Sequence, residues 1–125
     1  MRKYVLALAL CAGCTPHFSG ALVVDGKPFV VTGCRSGQAS SFSGVDLTAE
    51  DGAKLRLVYD PTGQARAVLF GTNAIGVDLG PCGPFQIEQQ SSKINQIYNL
   101  RGSATLSCTA SGHSVSGQIT FENCH

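Results

Sequence analysis

Short apolar runs, many of them alternating with polar positions, recur along residues 21–122 with turn residues between them. Ala21-Leu22-Val23-Val24 runs into Asp25-Gly26, a dipeptide suited to the positive φ angles of a two-residue hairpin turn. Residues 29–32 read as a strand, and 35–41 as a small, polar loop. Residues 45–47 and 55–59 flank Asp51-Gly52, a second hairpin signal. Leu55, Leu57 and Tyr59 fall on one face of that strand and Lys54 and Arg56 on the other, the period-two pattern of a half-buried strand. Asp60-Pro61-Thr62-Gly63 predicts a type I turn, because Pro61 presets φ and Gly63 accepts positive φ. Strands are expected at 65–70, 75–79 and 85–89. Residues 90–99 fit no pattern well: Ser91-Ser92-Lys93 suits the cap of one helical turn, but Ile94, Ile97 and Tyr98 make too short a periodic run. A last hairpin pairs residues 103–110 with 113–122 around Ser111-Gly112. Ala104, Leu106 and Cys108 alternate with polar residues in the first strand, and Val115, Ile119 and Phe121 share a face in the second. Eight to ten short strands joined by tight turns predict an all-β chain, a small antiparallel β-sandwich, with a small barrel as the alternative.

The amino terminus departs from this pattern. Met1-Arg2-Lys3 is cationic, and residues 4–12 are nine consecutive apolar residues. That is the layout of a secretory signal. Nine helical residues reach only about 14 Å, far short of a hydrocarbon core of about 30 Å, so this run is too short to span a membrane. Cys11-Ala12-Gly13-Cys14 then places two small residues before a cysteine. This resembles the bacterial lipobox, in which the chain is cut before a cysteine that carries lipid. The pattern's usual Leu is replaced here by Cys11, with Leu10 one position earlier. The resemblance implies a signal peptide at 1–13, a lipidated tether at 14–20 and a sandwich domain at 21–125. The competing reading is an ordinary signal cleaved near Ala12 or Gly13, with Cys14 a free or paired thiol. Lipidation at Cys14 makes the membrane a partner: each buried CH₂ contributes roughly 0.8 kcal/mol, and two or three chains hold where one is marginal. Thr15, rather than Asp, follows the cysteine. By analogy with enterobacterial sorting, that directs delivery to an outer membrane where the host has one.

Composition narrows the partners. Charged residues are 14% of the 125, against roughly 25% in ordinary soluble domains. Without Arg2 and Lys3, seven basic residues face eight acidic ones, so no basic field exists to neutralise phosphates and nucleic acid is not expected as a partner. The absence of Trp, with six Phe and three Tyr, also weighs against base or sugar stacking.

With Cys11 removed and Cys14 lipidated, Cys34, Cys82, Cys108 and Cys124 remain. An even number in an exported chain reads as two disulfides. If Ala110 faces His113 in the last hairpin, Cys108 faces Val115 and Cys124 lies level with Asn99. Cys108 and Cys124 then stand roughly 30 Å apart along the ladder, whereas a disulfide needs Cα atoms within about 7 Å. That excludes Cys108–Cys124, and with it Cys34–Cys82. Two connectivities stay open: Cys34–Cys124 with Cys82–Cys108, and Cys34–Cys108 with Cys82–Cys124. A Cys/His metal site lacks support, because no Cys-x-x-Cys spacing occurs among these four and no His-x-x-x-His in the chain.

No catalytic residues, cofactor or metal are expected. His113 reads as a solvated turn residue, and His17 and His125 lie in the tether and at the last position. Asp25, Asp51 and Asp60 fall in turns, while Asp46, Asp78, Glu88 and Glu122 read as outward strand residues. A glycosidase needs two facing carboxylates, which spacing alone cannot supply. No Gly-x-Ser-x-Gly elbow or phosphate loop is present.

Val23-Val24-Asp25-Gly26-Lys27, Val31-Thr32-Gly33 leading to Cys34, Ser116-Gly117, and Phe121 before Cys124 resemble the mycobacterial LpqH-type lipoprotein antigens over about 80 residues. In that family an early and a terminal cysteine are expected to pair, which implies Cys34–Cys124. The resemblance further implies an envelope role without catalysis. This chain lacks the family's long Ser/Thr/Gly-rich stalk and adds Cys82 and Cys108. The leading expectation is a non-enzymatic, lipid-anchored envelope protein that binds an unknown protein or small-molecule ligand or serves a structural role. A small-ligand or lipid carrier with an apolar cavity is the second, and an envelope hydrolase or hydrolase inhibitor the third.

Overall fold

A computed structural model describes residues 15–72 and 75–125. Residues 1–13, read as a signal peptide, and Cys14 lie outside the described residues.

The described residues form ten strands: β1 (His17–Val24), β2 (Lys27–Phe29), β3 (Val31–Ser36), β4 (Gly44–Ala49), β5 (Lys54–Tyr59), β6 (Ala65–Phe70), β7 (Gly76–Pro81), β8 (Phe85–Ile94), β9 (Ile97–Ala110) and β10 (His113–Cys124). They make two five-stranded antiparallel sheets, one in the order β2-β1-β10-β9-β8 and the other β3-β4-β5-β6-β7. The sheets pack face to face, so the expected β-sandwich is the fold. Its core takes the inward half of each alternating strand: Leu22, Val115 and Ile119 from the first sheet meet Val45, Leu47 and Leu57 from the second, all at most 3% exposed.

The turns follow from their residues. Asp25-Gly26 and Ser111-Gly112 each hold two successive positive φ angles, 53° and 78°, and 55° and 79°. These are the type I′ turns whose twist suits antiparallel hairpins. The Ser111-Gly112 turn sets Ala110 opposite His113 and Cys108 opposite Val115, as the hairpin register predicts. Further along, the register slips between Phe121 and Cys124, where Asn123 has φ 61°. Cys124 therefore faces Leu100, one residue from the predicted Asn99.

Both sheets are stapled. Cys34 in β3 bonds Cys124 at the end of β10, and Cys82 after β7 bonds Cys108 in β9, with Cα separations of 4.9 and 5.3 Å. Of the two open connectivities, this is the one the early-to-terminal pairing implied. Tyr59 adds a polar tie between the sheets: its hydroxyl donates to the Phe85 carbonyl at 2.9 Å.

Four local expectations change. Residues 17–20, expected to belong to a tether, are strand: β1 starts at His17, which pairs with Glu122. The single strand expected at 29–32 is two strands, β2 and β3, in different sheets; the chain crosses between them at Val30, which is 47% exposed. The loop expected from residue 35 begins only after Ser36, whose hydroxyl caps a short 3₁₀ turn at Gly37–Ser40. The stretch 90–99 holds no helical turn: β8 and β9 run through it, joined by Asn95-Gln96 at φ 52° and 71°. Asn tolerates this left-handed conformation, whereas Gln is an unusual choice there, so the turn carries no strong local signal.

Candidate functional site

β1 and β10 run antiparallel and full length beside each other, which gives the sandwich two distinct ends. One end holds Thr15, the start of β1, the end of β10 and the β8–β9 turn. The other holds the β1–β2 and β9–β10 turns together with the β4–β5 turn and the loop before β7.

At this second end the two sheets part around a cleft of about 430 Å³. Ligand pockets commonly measure about 300–1,000 Å³. Val24, Pro28 and Phe29 wall it from the first sheet, and Leu69 and Val77 from the second. Phe29 and Leu69 are core residues, and Val24 and Val77 are half-buried. The apolar floor thus continues the core outward. Asp25, Lys27, Asp51 and His113 form a polar rim around it. Ile75 stands at the same mouth and is 65% exposed.

The rim has internal order. Asp25 lies in the β1–β2 turn and His113 begins β10, one residue beyond the turn in which it was expected. The His113 Nδ1 lies 2.8 Å from Asp25 Oδ2. An ionised carboxylate can only accept, so the hydrogen-bond network assigns the proton to Nδ1. Asp25 Oδ1 accepts the Ser114 amide at 2.9 Å, and the Asp25 amide donates to the Ser114 carbonyl at 2.9 Å. The His113 hydrogen bond first, and the Ser114 amide second, hold the Asp25 carboxyl below the usual carboxylate range. The pair therefore clips two turns together at the mouth of the cleft.

A second concavity, about 750 Å³, lies at the opposite end and is lined by His17, Glu88, Arg101 and Glu122 among others. Arg101 and Glu88 pair there at 2.6 Å, with both side chains more than half exposed. From this groove the outer face of the first sheet continues as cross-strand rows of small polar residues. Ser19, Thr120, Ser103 and Gln86 form one row, Gln118 and Thr105 the next, and Ser116 and Ser107 a third. All are exposed. Outward strand positions thus offer hydroxyls and amides with few charges.

The remaining candidates serve structure. Asp60 Oδ1 accepts from the Thr62 hydroxyl and the Gln64 and Thr62 amides, which lower its pKa and close the turn around Pro61. Asp78 is lowered by the Gly80 amide and by Arg66. Asp46, read as an outward strand residue, is only 7% exposed. It does point away from the core, but Arg56 covers it with two bonds of 2.8 and 3.1 Å and Lys54 approaches at 3.6 Å. Arg56 in turn stacks on Phe42, 4.1 Å from the ring centre. The Asp46–Arg56 register is set by a three-residue turn, Glu50-Asp51-Gly52, closed by the Ala49–Ala53 pair; a two-residue Asp51-Gly52 turn would set Asp46 opposite Leu57, so the sequence held only a partial signal for this pair. The Asp25–His113 pair, 88 residues apart, had none. His125, at the last position, has Nε2 2.7 Å from the Ile94 carbonyl. Among the described residues no group of three or more His, Cys, Asp or Glu side chains is placed to hold a metal ion.

No family model, curated protein or solved structure matches the chain.

Proposed function

We propose that this chain is a bacterial envelope lipoprotein, anchored through lipid on Cys14, whose sandwich acts as a non-catalytic binding module. The observation that carries this reading is the polarity of β1. Its first residue, His17, lies three positions after Cys14, and its last, Val24, lines the cleft. Eight strand residues span about 26 Å, so an anchor at one end holds the cleft at the other, facing away from the membrane. Two disulfides belong to an oxidising, exported environment and support the same address.

The cleft also favours the second reading, a small-ligand carrier, because its walls are apolar and its rim supplies a few fixed polar groups. The His113–Asp25 pair lends little to a hydrolase. Asp25 is already engaged with the Ser114 backbone, a role that closes turns and requires no nucleophile.

Intact mass of the protein extracted from its native membrane tests the proposal. The expected product begins at an acylated Cys14 and has its other four cysteines oxidised. A product that begins at Met1 with free thiols overturns it. Native mass spectrometry of the same preparation separates the two readings: a co-purifying small molecule favours the carrier.

A further inference from the structure

We propose that the tip of the β8–β9 hairpin, Lys93 to Tyr98, sits in the headgroup layer of the membrane that holds the chain. This rests on the reading of Cys14 as the lipid-bearing residue and adds how the domain is seated.

The anchor has almost no slack. Only Thr15 and Pro16 separate Cys14 from β1, and Thr15 is already tied down: its carbonyl accepts from Asn123 Nδ2 at 3.0 Å. The Cα of residue 14 can stand only about 3.8 Å from that of Thr15. Asn123 also fixes the hairpin, since its amide donates to Gln90 Oε1 at 2.8 Å and its Oδ1 accepts from Gln90 Nε2 at 3.1 Å. Thr15, Asn123 and Gln90 thus form a bracket that sets the hairpin relative to the anchor point.

The hairpin then reaches past that point. Cys124, next to Asn123, pairs with Leu100. From Leu100 the strand continues through Asn99 and Tyr98 to Ile97, three steps or about 10 Å, before the Asn95-Gln96 turn. A headgroup layer is only about 5–7 Å deep on each side of the hydrocarbon. That reach exceeds the depth of the layer, so with Cys14 acylated the turn rests within it when the strands tilt from the membrane normal.

The residues at the tip suit that depth. Ile94 and Ile97 pair across the turn and are half-exposed. Lys93 and Tyr98 pair behind them, with Lys93 Nζ 5.3 Å from the Tyr98 ring centre. Tyrosine and lysine are interfacial residues, apolar along the body and polar at the tip. From residue 89 to residue 100 there is no Asp or Glu, so none of the hairpin's own side chains sets a carboxylate against an anionic lipid surface.

The chain has no tryptophan, so a single introduced Trp reports its own depth. Tyr98→Trp is compared with Val23→Trp, on the exposed face of β1 near the far end. Each full-length, lipidated variant is placed in vesicles of phosphatidylethanolamine with phosphatidylglycerol, some carrying brominated acyl chains. Bromolipid quenching at least about twofold stronger for Tyr98→Trp than for Val23→Trp is expected, with a blue-shifted emission. Equal quenching in vesicles that retain the protein overturns the proposal, as does docking of the hairpin on a protein partner with the introduced indole unquenched. Ile97→Trp serves as the reporter if Tyr98→Trp fails to fold. Protein that does not float with the vesicles, or that lacks acyl mass on Cys14, instead counts against the anchoring itself.

Discussion

Single residues here decide charge placement more than chemistry. Asp46 is covered yet fully paired, so removing its charge leaves Arg56 and Lys54 facing a neutral group inside a partly closed cluster. Asp46→Asn is expected to destabilise the domain by about 1–3 kcal/mol in urea unfolding, since a lost charge-assisted bond leaves its partner poorly compensated. Asp78→Asn, at a side chain 61% exposed, is expected to change stability by less than about 0.5 kcal/mol. Asp25 gives a pH signature. Its folded pKa lies below its unfolded value, so its contribution is complete above the unfolded pKa of about 3.9. That contribution disappears as pH falls through the lower folded value. Asp25→Asn keeps a residue tolerant of φ 53° and removes the charge together with one of the two acceptor oxygens. The variant is expected to be less stable than the parent at about pH 6, with the gap narrowing as acid titrates Asp25 in the parent. A gap that widens below about pH 4 contradicts the assignment.

At the scale of elements, the long β8–β9–β10 meander is the frame, and its closest approach lies at Gly102. A Cβ there would collide with the Gln86 carbonyl oxygen and meet the Phe121 ring at 3.0 Å. Backbone cannot yield as a side-chain tip can, so Gly102→Ala is expected to cost about 1–3 kcal/mol, while Ser103→Ala on the exposed face is near neutral. Guanidinium melts of both variants check this. The turn of the β8–β9 hairpin offers the opposite sign. Gln96 holds φ 71°, where glycine carries no steric penalty. Gln96→Gly is expected to raise stability by about 0.5–1 kcal/mol, read as a higher midpoint in the same melts.

For the whole molecule, the staples and the two ends matter most. The Cys34–Cys124 bond closes a separation of 90 residues and Cys82–Cys108 one of 26. In the chain-entropy model these contribute about 4–5 and about 3–4 kcal/mol, so replacing the first pair with alanine is expected to lower stability more than replacing the second. Both are large shares of the roughly 5–15 kcal/mol typical of a domain. Unfolding of the two double variants, with the other bond mapped intact, measures the order. The first bond ties the carboxyl end of β10 to the other sheet. Its loss is therefore expected to loosen the end nearest Thr15 before the far cleft, visible as faster hydrogen exchange around Asn123 than around Val24.

What could be read from the residues alone was local and strong. Alternation with tight turns located β5, β6 and β10 to within about two residues, because side-chain period and turn chemistry are fixed over short spans. The same hairpin logic set the Ala110–His113 register and excluded one disulfide scheme. The lipid reading of Cys14 is likewise a local motif, and it lies outside the described residues. Sheet stacking decided the rest. It brought Cys34 to Cys124 and Asp25 to His113, sent β2 and β3 to different sheets at Val30, and opened the cleft between them. It also carried β8 and β9 through residues 90–99, where Gln90, Ser92 and Asn99 find partners only across strands. A contact between residues far apart in the chain leaves no trace in nearby spacing, since it depends on how two sheets meet rather than on the pattern within either strand.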